Sequence, residues 1–193
     1  VEINDVYVVV KRTINGTAKY FLEKFDKTLT LDSALTGGAA SSVNVTQLED
    51  KSISIIRDGA IENNQTVPVS PYTITFATPA ATSYEVGLNY EVLIVTMPTE
   101  PRLRSGSVQG VKKRIIQIDA LVYESQSMNI NNVEIPFRNF GEDVLDKPIE
   151  DYTGIKTLGG LLGFSNTGQI TVKQTVPLKM TLLGLEYRMS IGN

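Results

Sequence analysis

The chain has 193 residues, of which 41% are hydrophobic and 20% are charged, and its formal net charge is −3. This length suits one domain of ordinary size or two small ones, and the composition excludes a disordered chain. Because cysteine and histidine are both absent, the sequence excludes disulfides, thiol and Ser-His-Asp nucleophiles, and thiolate or imidazole metal sites. No apolar run approaches the ~20 residues of a membrane-spanning helix, and the acidic balance gives no general attraction to nucleic acid.

The first predicted element is a β-hairpin centred on Asn15-Gly16. Two β-rich runs, VYVVVKRTI at 6–14 and TAKYFLEKF at 17–25, flank this dipeptide. Asn-Gly favours a type I′ turn, in which both central residues have positive φ. A two-residue loop pairs Ile14 with Thr17 and therefore Val10 with Phe21. One face of the hairpin is then expected to carry Tyr7, Val9 and Lys11 opposite Lys24, Leu22 and Tyr20.

Residues 29–97 are predicted to form a separate small β-domain. Short apolar runs at 43–45, 52–57, 66–69, 72–76 and 84–88 recur between turn residues, a spacing typical of a small β-barrel or sandwich. Residues 35–42 contain Gly37-Gly38 and are expected to form a flexible loop, and residues 62–64 are expected to form a turn. The run NYEVLIVT at 89–96 is expected to be the last strand of this domain.

The longest run predicted to be one strand is GVKKRIIQIDALVYES at 110–125. Alternation places Ile116, Ile118, Ala120 and Val122 on one apolar face and leaves a mixed face on the other side. A strand of this kind is typical of the interior of a sheet that has one side against a core.

The final third is also predicted to be β-structure. Residues 127–132 are interpreted as a turn, residues 134–137 as a short edge segment, and the glycine-rich 152–163 as a segment with at most one helical turn. Residues 169–174 alternate as a strand, and Pro177 precedes the last one. Its apolar residues change phase between Leu182 and Leu185, which predicts a β-bulge near 182–184. The predicted fold class is all-β: a β-sandwich-like sheet layer with an inserted small β-barrel or sandwich domain.

One cluster of positive charge lies between Pro101 and Ile118, where the chain has no acidic residue. It consists of Arg102, Arg104, Lys112, Lys113 and Arg114. Such a cluster predicts contact with DNA phosphates or with a neighbouring subunit, and the alternative is an ordinary solvated strand end. No aromatic residue is interleaved, so base stacking is not expected.

No catalytic, cofactor-binding or metal-binding residue is predicted. The acidic residues of 141–151 fit no calcium-loop spacing and are interpreted as a solubilising loop. The glycines at 159–163 and the segment 106–113 match neither a dinucleotide fingerprint nor a phosphate loop. Aromatic residues of the hairpin could line a sugar-binding face, but cross-strand packing is the simpler interpretation; they are Tyr7, Tyr20, Phe21 and Phe25.

Seven stretches, in order over nearly the whole chain, carry a family resemblance. They are VYVVVKRTINGTAKYFLEKF (6–25), SISIIRDGAIENNQTV (52–67), EVGLNYEVLIVTMP (85–98), GVKKRIIQIDALVYES (110–125), IPFR (135–138), YTGIKTLGG (152–160) and GQITVKQTVPLKMTLLGLEYRMSIGN (168–193). Together they resemble the C-terminal region of the tail-nozzle, tail tubular protein B-like structural proteins of short-tailed bacteriophages and prophages.

This resemblance implies a structural virion protein without enzymatic activity or cofactor. It implies a homo-oligomeric ring of six subunits (a hexamer) at the distal end of the phage tail, in contact with other tail proteins, that retains the genome and then passes the viral DNA out. The protein would be made in the bacterial host cytoplasm, and a larger N-terminal region would precede this segment.

The resemblance also implies a division of the chain into domains. Residues 1–28 and 98–193 would form one discontinuous main β-sheet domain, and residues 29–97 would be inserted into it. The alternative function is a host-surface or polysaccharide binding module of a phage tail that uses the loops of 29–97. An enzyme such as a depolymerase is the third hypothesis, since carboxylates alone could serve it.

Overall fold

The structure is a computed structural model that describes residues 5–80, 82–101, 106, 109–138, 141, 147–160 and 163–192. This part of the chain is all-β, which confirms the predicted fold class, and none of it forms a helix long and apolar enough to cross a membrane. Its sheets are antiparallel and open. The elements are β1 (Tyr7–Ile14), β2 (Thr17–Lys24), β3 (Asp32–Gly37), β4 (Ala40–Asn44), a 3-10 helix (Thr46–Leu48), β5 (Ser52–Arg57), β6 (Ala60–Thr66), β7 (Thr73–Ala80), β8 (Tyr84–Leu88), β9 (Val92–Val95), β10 (Lys113–Ser125), β11 (Asn129–Ile130), β12 (Val133–Glu134), β13 (Tyr152–Gly159), β14 (Thr171–Gln174) and β15 (Leu182–Ile191).

The chain divides into two compact units. The first comprises the described residues of Val1–Tyr90 and Leu145–Pro148, and the second those of Glu91–Val144 and Ile149–Asn193. The first unit contains the sheets β1-β2, β3-β8-β5-β6 and β4-β7. Its core is formed by fully buried aliphatic side chains from several strands, among them Ile14, Val45, Leu48, Ile53, Ile55 and Val86.

Strands β1 and β2 form the predicted hairpin, which we call the ribbon. Ile14 pairs with Thr17 and Val10 with Phe21, as the Asn-Gly turn predicts. Asn15 has φ 45° and Gly16 has φ 73°, the positive values of a type I′ turn. The predicted register is confirmed.

The ribbon belongs to the first unit, whereas the sequence placed it with residues 98–193. Ile14 is fully buried in the first core, and Phe21 packs against the same cluster. The boundary between the units also falls at Tyr90/Glu91 instead of at 97/98, because β9 pairs with β14. The division into units therefore differs from the predicted one. Alternation along a strand fixes which side chains point inward, but it does not say which core they enter.

Two predictions for the middle region are wrong. Residues 35–42 and 62–64 were expected to be loop and turn, yet they lie largely in β3, β4 and β6. At Gly37 an added Cβ would lie 2.4 Å from the Tyr84 ring, so this glycine is needed in the strand to make room for the aromatic side chain. Strands β5 and β8 have the predicted bounds.

The second unit is built around β10, which lies between β13 and β15, together with the sheet β12-β11-β14-β9. Ile118, Ala120 and Val122 are fully buried in its core. The predicted bulge is present: Leu121 pairs with Gly184 and Val122 with Leu182, so Leu183 is the extra residue.

A second bulge, in β10 itself, overturns one predicted side-chain orientation. Ile115 pairs with Met189 and Gln117 with Arg188, which leaves Ile116 without a partner on β15. Ile115 is consequently 8% exposed and Ile116 44% exposed. The sequence placed Ile116 on the buried face, which is wrong, because a bulge shifts the alternation by one residue.

Most of the glycine-rich segment 152–163, which was predicted to contain at most one helical turn, forms strand β13. Gly154 has φ 148°, and an added Cβ there would lie 2.9 Å from Tyr152 Oη. The glycine therefore admits the Tyr152 side chain, whose hydroxyl donates to the Ile155 carbonyl at 3.0 Å. Glycine here serves close packing within a strand.

The position of Ile14 in the first core predicts a stability effect. Ile14→Ala should lower the free energy of unfolding of the first unit by about 2–5 kcal/mol, because it removes a fully buried side chain and leaves a cavity. Native-state hydrogen exchange of β5 and β8 amides measures this change. The matched control is the exposed neighbour Thr13→Ala, which should stay within about 0.5 kcal/mol of the parent. Equal protection in both variants would contradict the assignment of the ribbon to this core.

Candidate interaction surfaces

The predicted positive cluster does not act as one surface in the part of the chain that the structure describes. Lys113 is the first residue of β10 and is 2% exposed, whereas Lys112 is exposed and Arg114 half-buried. Arg102 and Arg104 lie outside the described residues. Successive strand residues point to opposite sides, so Lys113 and Arg114 lie on opposite sides of β10.

Lys113 is held by the chain around Ser165. Its backbone exchanges two hydrogen bonds with Ser165, at 2.7 and 2.8 Å, and its ammonium Nζ donates to the Asn166 carbonyl at 3.0 Å. Its side-chain carbons lie close to Gly168, where an added Cβ would be 3.4 Å from Lys113 Cδ. Lys113 therefore cannot make the surface contact with DNA or a neighbouring subunit that the sequence predicted. For Lys112 and Arg114 that contact stays a prediction.

The outer side of the β13-β10-β15 sheet carries an apolar row beside a polar row. Ile155 pairs with Leu121, which in turn pairs with Gly184 next to the bulged Leu183. Ile155, Leu121 and Leu183 are all exposed, as is Tyr123. Gly184 has no Cβ to cover Leu121, and the space above it is open. We call these four side chains, Leu121, Tyr123, Ile155 and Leu183, the apolar row.

The polar row is organised by Asp119. Thr157 Oγ donates to the Asp119 carboxylate at 2.5 Å, and Gln117 Nε donates to its two oxygens at 2.8 and 3.0 Å. These hydrogen bonds, with a smaller contribution from Arg188, hold the pKa of Asp119 below its ordinary value. The carboxylate is thus fixed and charged beside the apolar row.

The inward face of the ribbon is tied to the first unit by charged groups as well as by Ile14. The Arg12 guanidinium forms hydrogen bonds with Glu23 on β2 and with both carboxylate oxygens of Asp32 at 2.8 Å. The bond to Glu23 is the main cause of a raised pKa of Arg12. At the tip of the ribbon, Asn15 Nδ donates to the buried carboxylate of Glu49 at 2.9 Å.

The outward face of the ribbon consists of Tyr7, Val9, Lys11, Tyr20, Leu22 and Lys24. Its four apolar and aromatic side chains are 56–72% exposed. The aromatic residues of the ribbon do not share one face, because Phe21 points inward and lies 5.8 Å from the Arg12 guanidinium. The expected packing of one aromatic ring on another across the strands is replaced by packing of cations on rings. Lys11 Nζ is 5.9 Å from the centre of the Tyr20 ring.

A shallow groove of about 540 Å³ lies within the second unit. It is lined by the segment 96–101, which follows β9, and by Tyr187 and Met189 of β15. One carboxylate, that of Glu100, is among the lining residues.

The acidic residues of 141–151 fall mostly outside the described residues. Of the two that are described, Glu150 is exposed and Asp151 accepts a hydrogen bond from Lys179 Nζ at 2.7 Å. Within the described ranges, no group of three or more acidic side chains is placed to hold a metal ion.

No protein-family model matches this chain, and a search of curated proteins finds no significant match.

The burial of Lys113 predicts that two adjacent lysines behave differently. Lys113→Met should lower the free energy of unfolding by about 1–3 kcal/mol, because the Asn166 carbonyl loses its hydrogen-bond donor. The exposed control Lys112→Met should change it by less than about 0.5 kcal/mol. Urea denaturation of both variants measures the difference, and an equal effect would contradict the burial of Lys113.

The hydrogen bonds to Asp119 predict a defined pH dependence. Since its folded pKa is lowered, these bonds stabilise the fold above the unfolded value of about 3.9 and are lost as the pH falls through the folded pKa. Thr157→Val should raise the pKa of Asp119, measured by a carboxylate NMR titration. The pKa of Asp26, lowered by Thr28 on a separate loop, serves as the internal control and should not move. An unchanged Asp119 titration would contradict the assigned cause.

Proposed function

We propose that this chain is a structural virion protein of a phage tail, a component of the tail nozzle that forms part of the genome-ejection conduit. The proposal combines the family resemblance of the seven stretches with the nature of the exposed sheet surfaces. The observation that carries it is the apolar row on the outer side of the β13-β10-β15 sheet. A subunit of a permanent assembly has such faces because a neighbouring subunit covers them.

The apolar row has the composition of a subunit contact. Leu121, Ile155 and Leu183 are exposed on three neighbouring strands, and together with Tyr123 they form the apolar row, called the strip below. The fixed carboxylate of Asp119 lies next to the strip and supplies a polar rim that can select the register of a partner. A rigid sheet with a hydrophobic centre and a polar edge suits repeated contacts in a homo-oligomeric ring.

The charge distribution supports a conduit that does not hold DNA tightly. The chain is acidic overall, with a net charge of −3. Lys113 is buried, so the exposed cation of the 112–114 segment is Lys112. A single exposed cation per subunit from this segment would give weak, salt-sensitive contact with phosphates, since each neutralised phosphate adds to the salt dependence. Such weak contact would let DNA slide along the wall of the ring during ejection.

Disruption of the apolar row tests the proposed assembly role. Leu121→Asp should weaken self-association of the chain about tenfold or more, because it places a charge in the centre of the strip. Sedimentation velocity over a concentration series measures the change. Ser190→Asp is the matched control, since it adds the same charge at an exposed position of β15 outside the strip.

Two further measurements separate this proposal from its alternative. Binding of duplex DNA should be weak and should disappear as salt is raised, which fluorescence anisotropy reports. Saturable binding of host polysaccharide by a chain that stays monomeric at all concentrations would overturn the tail-conduit proposal and favour a host-surface binding module instead.

A further inference from the structure

The two strands of the ribbon carry the same short pattern on the outward face. β1 contains Tyr7-x-Val9-x-Lys11, and β2 contains Tyr-x-Leu-x-Lys at 20–24. In the register of the ribbon, Val9 pairs with Leu22 at the centre of these two segments. A two-fold rotation about an axis through this central pair, perpendicular to the face, exchanges the two antiparallel strands. The outward face therefore has a local two-fold symmetry of side chains.

This symmetry places the tyrosines and lysines at alternate corners of a rectangle. Tyr7 is directly opposite Lys24 at one end, and Lys11 is directly opposite Tyr20 at the other. The tyrosines consequently occupy one diagonal and the lysines the other. The apolar pair Val9 and Leu22 fills the centre.

We propose that the outward face of the ribbon is a self-complementary contact with the ribbon of a second copy of this chain. In such a dimer the two faces lie against each other and are related by a two-fold axis in the plane between them. This axis can run parallel or perpendicular to the strands. Each choice brings every tyrosine of one copy over a lysine of the other and keeps the lysines apart. Val9 and Leu22 of one copy then pack on the Val9 and Leu22 pair of the other, as side chains do between two packed sheets.

The chemistry of the corners favours association of the two copies. A lysine ammonium over a tyrosine ring is attractive, and the contact strengthens as water is excluded. Lys24 is held by Asp5 through one hydrogen bond of 2.9 Å, which leaves further N–H groups and its aliphatic stem for a second contact. Lys11 already lies beside the Tyr20 ring of its own copy. These intramolecular contacts position both ammonium groups before a partner arrives.

The area of the outward face is sufficient for a specific contact. Its four apolar and aromatic side chains are 56–72% exposed, and with the two lysines beside them they supply an area comparable to the ~800 Å² that each partner contributes to a standard interface. The inference does not depend on the proposed tail function, since it concerns the first unit alone.

Sedimentation velocity of the full chain tests the contact. We expect a concentration-dependent dimer that Leu22→Arg weakens at least tenfold, because the substitution puts two cations at the centre of the interface. Ile61→Arg is the matched control: it makes the same change of side-chain class at a partly exposed position of β6 in the same unit, and it should leave the dimer intact. Circular dichroism verifies the fold of both variants. A chain that stays monomeric, or a dimer unaffected by Leu22→Arg, overturns the proposal.

Two composition-preserving swaps test the pairing of corners. In the double variant Tyr7→Lys/Lys24→Tyr, each tyrosine of one copy still lies over a lysine of the other only if the two-fold axis is parallel to the strands. In the double variant Tyr7→Lys/Lys11→Tyr, this pairing is kept only if the axis is perpendicular to the strands. One swap should therefore preserve the dimer and the other should weaken it. If both swaps preserve the dimer, or both abolish it, the corner pairing is wrong. None of these substitutions touches the apolar row, so loss of the dimer in Leu22→Arg but not in Leu121→Asp would assign it to the ribbon.

Discussion

Burial of Ile14 in the first core fixes the orientation of the ribbon. Side chains alternate along a strand, so a ribbon that sends Ile14, Arg12 and Phe21 inward must send Tyr7, Val9 and Leu22 outward. The paired carboxylates of Glu23 and Asp32 around Arg12 and the bond from Asn15 to Glu49 hold this arrangement at two points. The exposed face is thus a geometric consequence of how the other face is anchored. A slip of one residue would exchange the two faces.

Bulges have a comparable effect in the second unit. The extra residue Leu183 in β15 and the extra residue Ile116 in β10 each have an exposed side chain, whereas Leu182 packs against the second core and Ile115 lies in it. Such bulges also increase the local twist of the sheet. The bulge in β15 adds Leu183 to the apolar row and Gly184 leaves Leu121 uncovered, while Ile118, Ala120 and Val122 are buried on the inner side of the sheet. Strand register therefore determines both proposed contact surfaces: the outward face of the ribbon depends on its fixed register, and the apolar row depends on a bulge.

Local chemistry made several features predictable from the sequence. The Asn-Gly turn determines the register of the ribbon, and the phase change after Leu182 indicates the bulge at Leu183. Other features depend on contacts between distant residues. Gly37 and Gly154 lie in strands because they accommodate Tyr84 and Tyr152, whereas glycine-rich sequence alone favours a loop. The same holds for the core that Ile14 enters, which the sequence assigned to the other unit.

In the predicted cationic cluster, too, adjacency along the chain was predictable from the sequence and contacts with distant residues were not. Lys112, Lys113 and Arg114 are adjacent in the sequence, but the burial of Lys113 depends on contacts with the distant Ser165 and Asn166. The repeated Tyr-x-apolar-x-Lys pattern was present in the sequence, and only the observed pairing of Val9 with Leu22 turns it into a symmetric surface.

Methyl NMR tests most directly whether the ribbon is anchored in the first unit. The account predicts nuclear Overhauser contacts from the Ile14 methyl groups to methyl groups of the first core, which includes Val45, Leu48 and Ile53. Contacts from Ile14 to Ile118 or Val172 of the second core, or the absence of any long-range contact, would contradict it.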